Sequence, residues 1–145
     1  MAGLGRYTIR TVGCFFECDG KFLVLLRRSE KTQGGKWGLP AGKVEKDESD
    51  SDAVVREIKE ETGYVVVTKK DIELLGIYTW NFAEKTVVFP TFRIRLKHMP
   101  IITYNPDEHQ DYKWVTPEEC YAMADAIHGL HDLLEYVGYI KKPIS

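Results

Sequence analysis

Arg56-Glu57-Ile58-Lys59-Glu60-Glu61 sets three carboxylates within five positions of the chain. On a helix turning ~100° per residue, Glu57, Glu60 and Glu61 fall within an arc of ~100°. Like charges at i, i+3 and i, i+4 repel one another. A hard divalent cation would offset that repulsion directly, since Mg²⁺ prefers oxygen ligands and carboxylates. The same run also fits a solvated acidic helix face. On these six residues alone, both readings stand.

The elements that must hold these side chains are legible nearby. Ser49 to Thr62 reads as the clearest helix, capped by Asp47 or Ser49, with acids in its first turn where the helix dipole favours them. Gly63 stops it in the position that prefers a left-handed residue. Val54 and Ile58 lie on the arc beside the carboxylates and are expected to pack on a sheet. Upstream, Tyr7 to Cys18 and Lys21 to Leu26 flank Asp19-Gly20, a strong hairpin signal. Ser29 to Lys36 reads as a polar loop, and Trp37 to Gly42 as a short irregular stretch containing Pro40.

Downstream, Tyr64 to Thr68, Leu74 to Trp80 and Thr86 to Leu96 read as strands. In the last, Phe92, Ile94 and Leu96 alternate with Arg93, Arg95 and Lys97, so one face is wet. Met99 to Gln110 is a long loop, and loops of that length are often functional. Tyr112 to Val115 is a short strand. Thr116-Pro117-Glu118-Glu119 opens a helix, and Leu130 to Ile140 forms another. The order β, β, α, β, β, β, α predicts a mixed α/β fold in one domain, 1–145.

The surroundings decide between the two readings of the acidic run. Gly42 is followed by Glu48, then Arg56-Glu57, Glu60-Glu61 and Gly63. This resembles the Nudix box, G-x5-E-x7-R-E-U-x-E-E-x-G-U, where U is aliphatic. All seven fixed residues match, and a chance match in a chain this long is on the order of one in a million. Ile58 fits the first U, while Tyr64 departs from the usual aliphatic at the last. The resemblance extends beyond the box. Gly35-Lys-Trp37-Gly-Leu-Pro40-Ala-Gly42 looks like the family's G-x-W-x-x-P-G-G turn, and Asp107 through Val115 like its acidic loop and closing strand.

The resemblance implies a Nudix-type α/β/α sandwich with a mixed β-sheet. It implies Mg²⁺-dependent hydrolysis of the pyrophosphate bond in a nucleoside diphosphate linked to another group, with Mn²⁺ as an alternative ion. Glu57, Glu60 and Glu61, helped by the Gly42 carbonyl, would hold the metal, which polarises phosphate oxygens and activates water. Arg56 would orient the carboxylates, with Glu48 as its partner. The base would be Glu57 or a late-loop glutamate, for which Glu108 is the candidate. Arg27 and Arg28 are candidates for phosphate contact. Trp37 and Trp80, with Tyr78, Phe82 and Tyr104, are candidates to stack on a base.

Within the family, ADP-ribose hydrolases tend to carry a Pro where Thr79 and Trp80 stand here. Diadenosine polyphosphate hydrolases tend to carry a Tyr where Asn81 and Phe82 stand, although Glu108-His-Gln-Asp-Tyr-Lys-Trp looks like that group's ending. The balance leans to nucleoside triphosphates or dinucleoside polyphosphates. A sensor on the same fold, binding nucleotide without cleaving it, is the alternative; the intact box carboxylates count against it. An allylic diphosphate isomerase would want His ahead of the box, and none precedes His98.

Composition bounds the rest. The chain has 145 residues and a net charge of -2. That balance argues against a nucleic-acid binder. No apolar run approaches the ~20 residues that span a bilayer, and no apolar stretch after Arg6 and Arg10 suggests a signal peptide. Cys14, Cys18 and Cys120 make no C-x-x-C pair and suit a reducing, cytoplasmic setting; they read as small buried hydrophobes. His128 and His131 are expected on one helical face in surface or packing roles. A monomer or homodimer acting on a small nucleotide is the expectation. Between Gly42 and Gly63 there are eight acids and four bases, so the near-neutral total hides one acidic segment.

Overall fold

The computed structural model describes residues 6–141. Strand β1 (Tyr7–Cys18) and strand β2 (Lys21–Arg27) meet at Asp19 and Gly20, both with positive φ. That backbone twist matches the flanking strands. Two short strands follow, β3 (Trp37–Gly38) and β4 (Ala41–Lys43), separated by Leu39-Pro40. The stretch expected to be irregular thus pairs on both sides of its proline. Helix α1 (Asp50–Thr62) comes next, then β5 (Ile72–Asn81), β6 (Lys85–Leu96) and β7 (His109–Val115). Helices α2 (Pro117–Tyr121) and α3 (Leu130–Tyr136) close the fold.

The main sheet runs β3-β2-β1-β6-β5, with β4 added to β1 and β7 to β2. Only the β1–β6 pairing among these is parallel, so the sheet is mixed, as expected. Both faces of β1 are covered, which explains its nearly continuous apolar run. Cys14 and Phe16, with Leu23 and Leu25 of β2, pack against Ala53, Val54 and Ile58 of α1. Phe15, with Phe22 and Val24, packs against Leu130, Leu133 and Leu134 of α3. Helices on both faces give the α/β/α sandwich. Cys14, Cys18 and Cys120 are free thiols and all buried.

Local chemistry fixes the ends of α1. The Ser49 side chain accepts the Asp52 N–H at 3.1 Å, so Ser49, not Asp47, is the cap. Gly63, at φ 80, ends the helix and returns its N–H to the Lys59 carbonyl. Arg10 of β1 forks onto Asp50 with two hydrogen bonds of 2.7 Å, tying the helix start to the sheet. In the last element, α3 stops at Tyr136 rather than Ile140. Gly138 turns the chain at φ 90, and Tyr139 drops onto Phe15.

Tyr64 to Thr68, expected as a strand, belongs to none. Its alternation is real, since Tyr64 and Val66 pack on the core while Val65 and Val67 face solvent. The segment has side-chain partners without a backbone ladder, and a 3-10 turn at Lys69–Asp71 follows. Among the described residues no helix is long and apolar enough to cross a membrane.

The β1–β6 ladder is broken between its Arg10–Val88 and Gly13–Thr91 pairs. Pro90 falls in the gap, where its missing N–H costs no ladder bond. Phe89 beside it lies over Gly13, where an added Cβ would stand 2.3 Å from the ring tip. The ring cannot simply swing away, because it packs edge-on against Trp80 at 5.4 Å. Gly13→Ala is therefore expected to destabilise the fold by about 1–3 kcal/mol, read as a lowered urea midpoint with unchanged slope.

Candidate active site

Arg56 is the centre of the acidic helix face. Its Nε and Nη2 each bond a Glu48 carboxylate oxygen at 2.9 Å, and Nη2 also donates to the Lys43 carbonyl at 3.0 Å. Nη1 reaches Glu57 at 2.7 Å and Glu60 at 3.4 Å. The planar fork thus ties α1 to β4 and to the turn before the helix. Glu48 also accepts the Glu45 N–H at 3.0 Å. These bonds, Arg56 first, hold the Glu48 carboxyl down at about 2. The partners raise Arg56 still further above its ordinary value. Arg56 and Glu48 are thus bonded to each other, and Arg56 also reaches two of the three helix carboxylates.

Glu57 is buried, and burial pushes its carboxyl up to about 7; Arg56 opposes this, while Glu60 and Glu61 add to it. Gly42 lies directly beneath it: a Cβ at position 42 would stand 2.0 Å from Glu57 Oε1. Only glycine lets β4 approach the carboxylate this closely. Glu61 is also buried, and its Oε2 lies 2.7 Å from Nδ1 of His109. The two atoms are not aligned as a hydrogen bond, and neither has a hydrogen-bond partner elsewhere. Glu60 is half-exposed and held only by its long contact to Arg56.

The fit to a divalent cation rests on these facts. The donors are hard carboxylate oxygens, and the Gly42 backbone packs directly on one of the carboxylates. Among the described residues, no three His, Cys, Asp or Glu side chains already converge as a cation site. Arg56 bridges Glu57 and Glu60, while the Glu61 carboxylate turns to His109. The donor set suits the ion; its final closure does not exist beforehand.

A cavity of about 390 Å³ opens beside this face and is lined by Gly42 itself. Trp80, Phe82 and Phe89 supply aromatic walls, and Arg27, Lys43 and Lys85 supply positive charge. No Asp or Glu is among its lining residues. Gln33 stands at the rim with a left-handed backbone (φ 56), and its side-chain oxygen accepts the His128 N–H at 2.8 Å. His128 precedes α3 instead of sharing its face with His131.

The sequence candidates separate here. Trp80, Phe82 and Arg27 line the cavity. Arg28 points elsewhere, bonding Glu30 at 2.5 Å and the Pro106 carbonyl at 3.3 Å. Trp37 is buried in the core with Lys113 4.2 Å above its ring. Tyr78 packs on Tyr136, and Tyr104 beside Tyr112. Glu108 pairs with Lys31 at 3.5 Å, one residue before the His109 that meets Glu61. His109, Gln33, Lys85, Phe89 and His128 carried no site role in the sequence reading. Their places depend on contacts between distant segments, and only the acidic loop around His109 offered a local signal.

Fold and site together define a Nudix enzyme. The NUDIX domain model matches residues 7–135, and the chain belongs to that family. It is 32% identical over 129 residues to the CTP pyrophosphohydrolase of Escherichia coli (strain K12), covering 81% of this chain and 84% of that protein. It is 32% identical over 112 residues to phosphatase NudJ of the same strain, covering 75% and 69%. The crystal structure of a MutT protein from Methanosarcina mazei Go1 superposes with a TM-score of 0.80 at 30% identity, covering 93% of this chain and 96% of that one. The chain is a Nudix pyrophosphohydrolase.

The Glu48 shift carries a testable sign. Glu48 ionises at about 2 in the fold against an ordinary 4.5. Its contribution to stability is therefore complete above about pH 4.5 and is lost as pH falls toward 2. In thermal melts across pH 2–7, Glu48→Gln is expected to melt lower than the parent at neutral pH. The gap is expected to narrow through that acid window.

Proposed function

We propose that this chain hydrolyses the pyrophosphate bond of a nucleoside diphosphate linked to another group, with nucleoside triphosphates as the first substrate class. One observation carries the reading. Gly42 both lines the cavity and lies against the Glu57 carboxylate, so the acidic face borders the cavity. A ligand whose base occupies the cavity would bring its phosphates to the carboxylates.

Glu57, Glu60, Glu61 and the Gly42 carbonyl would hold Mg²⁺, with Mn²⁺ as a substitute. Bound there, the ion would neutralise phosphate oxygens and lower the pKa of a water. Trp80, Phe82 and Phe89 suit the flat face of a base, and Arg27, Lys43 and Lys85 suit phosphate charge. Arg56 keeps Glu57 and Glu60 oriented. Two glutamates are open to the role of base: Glu57 at the cluster, and Glu108 on the loop before β7. The similarity to a CTP pyrophosphohydrolase supports placing triphosphates ahead of dinucleoside polyphosphates and nucleotide sugars.

The test is a panel of nucleoside triphosphates, dinucleoside polyphosphates and nucleotide sugars, assayed with and without Mg²⁺ for released nucleotide and phosphate. Turnover is expected only with the metal, and fastest on a triphosphate. Glu60→Gln is expected to lower kcat by ~10²-fold or more while leaving the melting curve close to the parent's. Parental turnover in that variant would remove Glu60 from the metal site. For the base, Glu108→Gln decides. If Glu108 serves, its loss removes the acid limb of the pH–rate profile and most of the rate. An unchanged profile leaves the role to Glu57.

A further inference from the structure

We infer that His109 is a positioning residue that fixes the Glu61 carboxylate for cation binding by donating its Nδ1–H to Glu61 Oε2. The inference rests on the reading of Glu61 as a cation ligand.

Both side chains are at least nine-tenths buried. Their facing atoms are 2.7 Å apart but not aligned as a hydrogen bond, and neither has a hydrogen-bond partner; a turn of the imidazole would align them. With Glu61 ionised, as a cation ligand must be, the contact is favourable only if Nδ1 carries the proton, because a bare ring nitrogen would face the carboxylate lone pairs. A buried carboxylate left without such a donor would bear its desolvation cost alone. A donor on one oxygen leaves the other oxygen to serve a cation. Partners of this kind set the direction and basicity of ligands they do not themselves replace.

The backbone is shaped to deliver the imidazole. In the β2–β7 pairing, Leu25 faces Tyr112 and Leu26 faces Asp111, but Arg27 faces His109. Gln110 is the extra residue of a bulge. Without it, His109 would share a face with Asp111, Lys113 and Val115, and Val115 packs on the α3 side. The bulge reverses that parity and turns His109 to the α1 side, where Leu25 and Trp114 pack. The loop before it is equally fixed. The Asn105 carbonyl accepts both the Glu108 and the His109 N–H, at 3.1 and 3.0 Å. Thr103 bonds the Thr62 carbonyl at the end of α1 at 2.9 Å. The helix that carries Glu61 and the strand that carries His109 are thus joined within a few residues of the pair.

Mn²⁺ binding to the nucleotide-free chain tests this, followed by the electron paramagnetic signal of free Mn²⁺. His109→Leu is expected to weaken binding roughly 10- to 100-fold. His109→Asn, whose amide nitrogen takes the place of Nδ1, is expected to stay within about threefold of the parent. Ring ¹⁵N shifts of His109 in the parent chain supply a readout that needs no variant, and Nδ1 is expected to carry the proton. A bare Nδ1 overturns the inference. So does parental Mn²⁺ affinity in His109→Leu, or equal losses in the Leu and Asn variants, which would mark a packing role. Glu60→Gln is the control. If it weakens Mn²⁺ binding while His109→Leu does not, only the role of His109 falls. If the parent chain binds no Mn²⁺, the cation reading falls and this inference with it.

Discussion

The Arg56 guanidinium is the constraint on which the rest of the site depends. Three carboxylates on one helical arc repel one another, and one of them is buried against a glycine. A single planar cation with five donors answers that repulsion and does three further things. It grips Glu48 with two bonds, it fastens the helix to the Lys43 carbonyl, and it aligns Glu57 and Glu60. A lysine could supply the charge but not this geometry. The fork also explains how three carboxylates can share one helical arc. The Glu57 oxygen that accepts from Arg56 is also the one nearest Gly42.

The helix face was legible because its logic is local. Glu57, Glu60 and Glu61 are placed by helical pitch, Gly63 by its left-handed cap, and Val54 and Ile58 by the apolar arc beside them. Those roles follow from spacing along one element. The strand alternation in β6 and the Asp19-Gly20 turn were legible for the same reason. What spacing could not give was the partner of Glu61. His109 lies far along the chain, and its direction is set by a one-residue bulge that leaves no mark in an apolar pattern. Tyr64 to Thr68 misled in the opposite way: its alternation reported packing correctly but said nothing of whether a neighbouring backbone was there to pair with.

The aromatics divide by the same principle. Trp37 and Trp80 were indistinguishable as sequence candidates, since each sits in a short apolar stretch. The fold buries the first under Lys113 and sets the second in a cavity wall. That wall is assembled from β4, β5, β6, the loop holding Gln33 and the segment before α3. None of these is adjacent in the chain to the carboxylates it serves, apart from Gly42. Gly42 belongs to both halves, and its missing side chain lets them meet.

The parallel pairing of β1 with β6 has a consequence for the order in which the molecule comes together. Tyr7 faces Lys85 and Cys18 faces Leu96, so every rung of that ladder joins residues about 80 positions apart. Helix α1 and the β1–β2 hairpin need only near neighbours and can form early. The central ladder must close a long loop before its contacts repay the lost chain entropy. Phe89 and Trp80 reach the cavity only once that ladder is made. An intermediate holding α1 would already carry its acidic face, while the aromatic walls beside it would still be unbuilt.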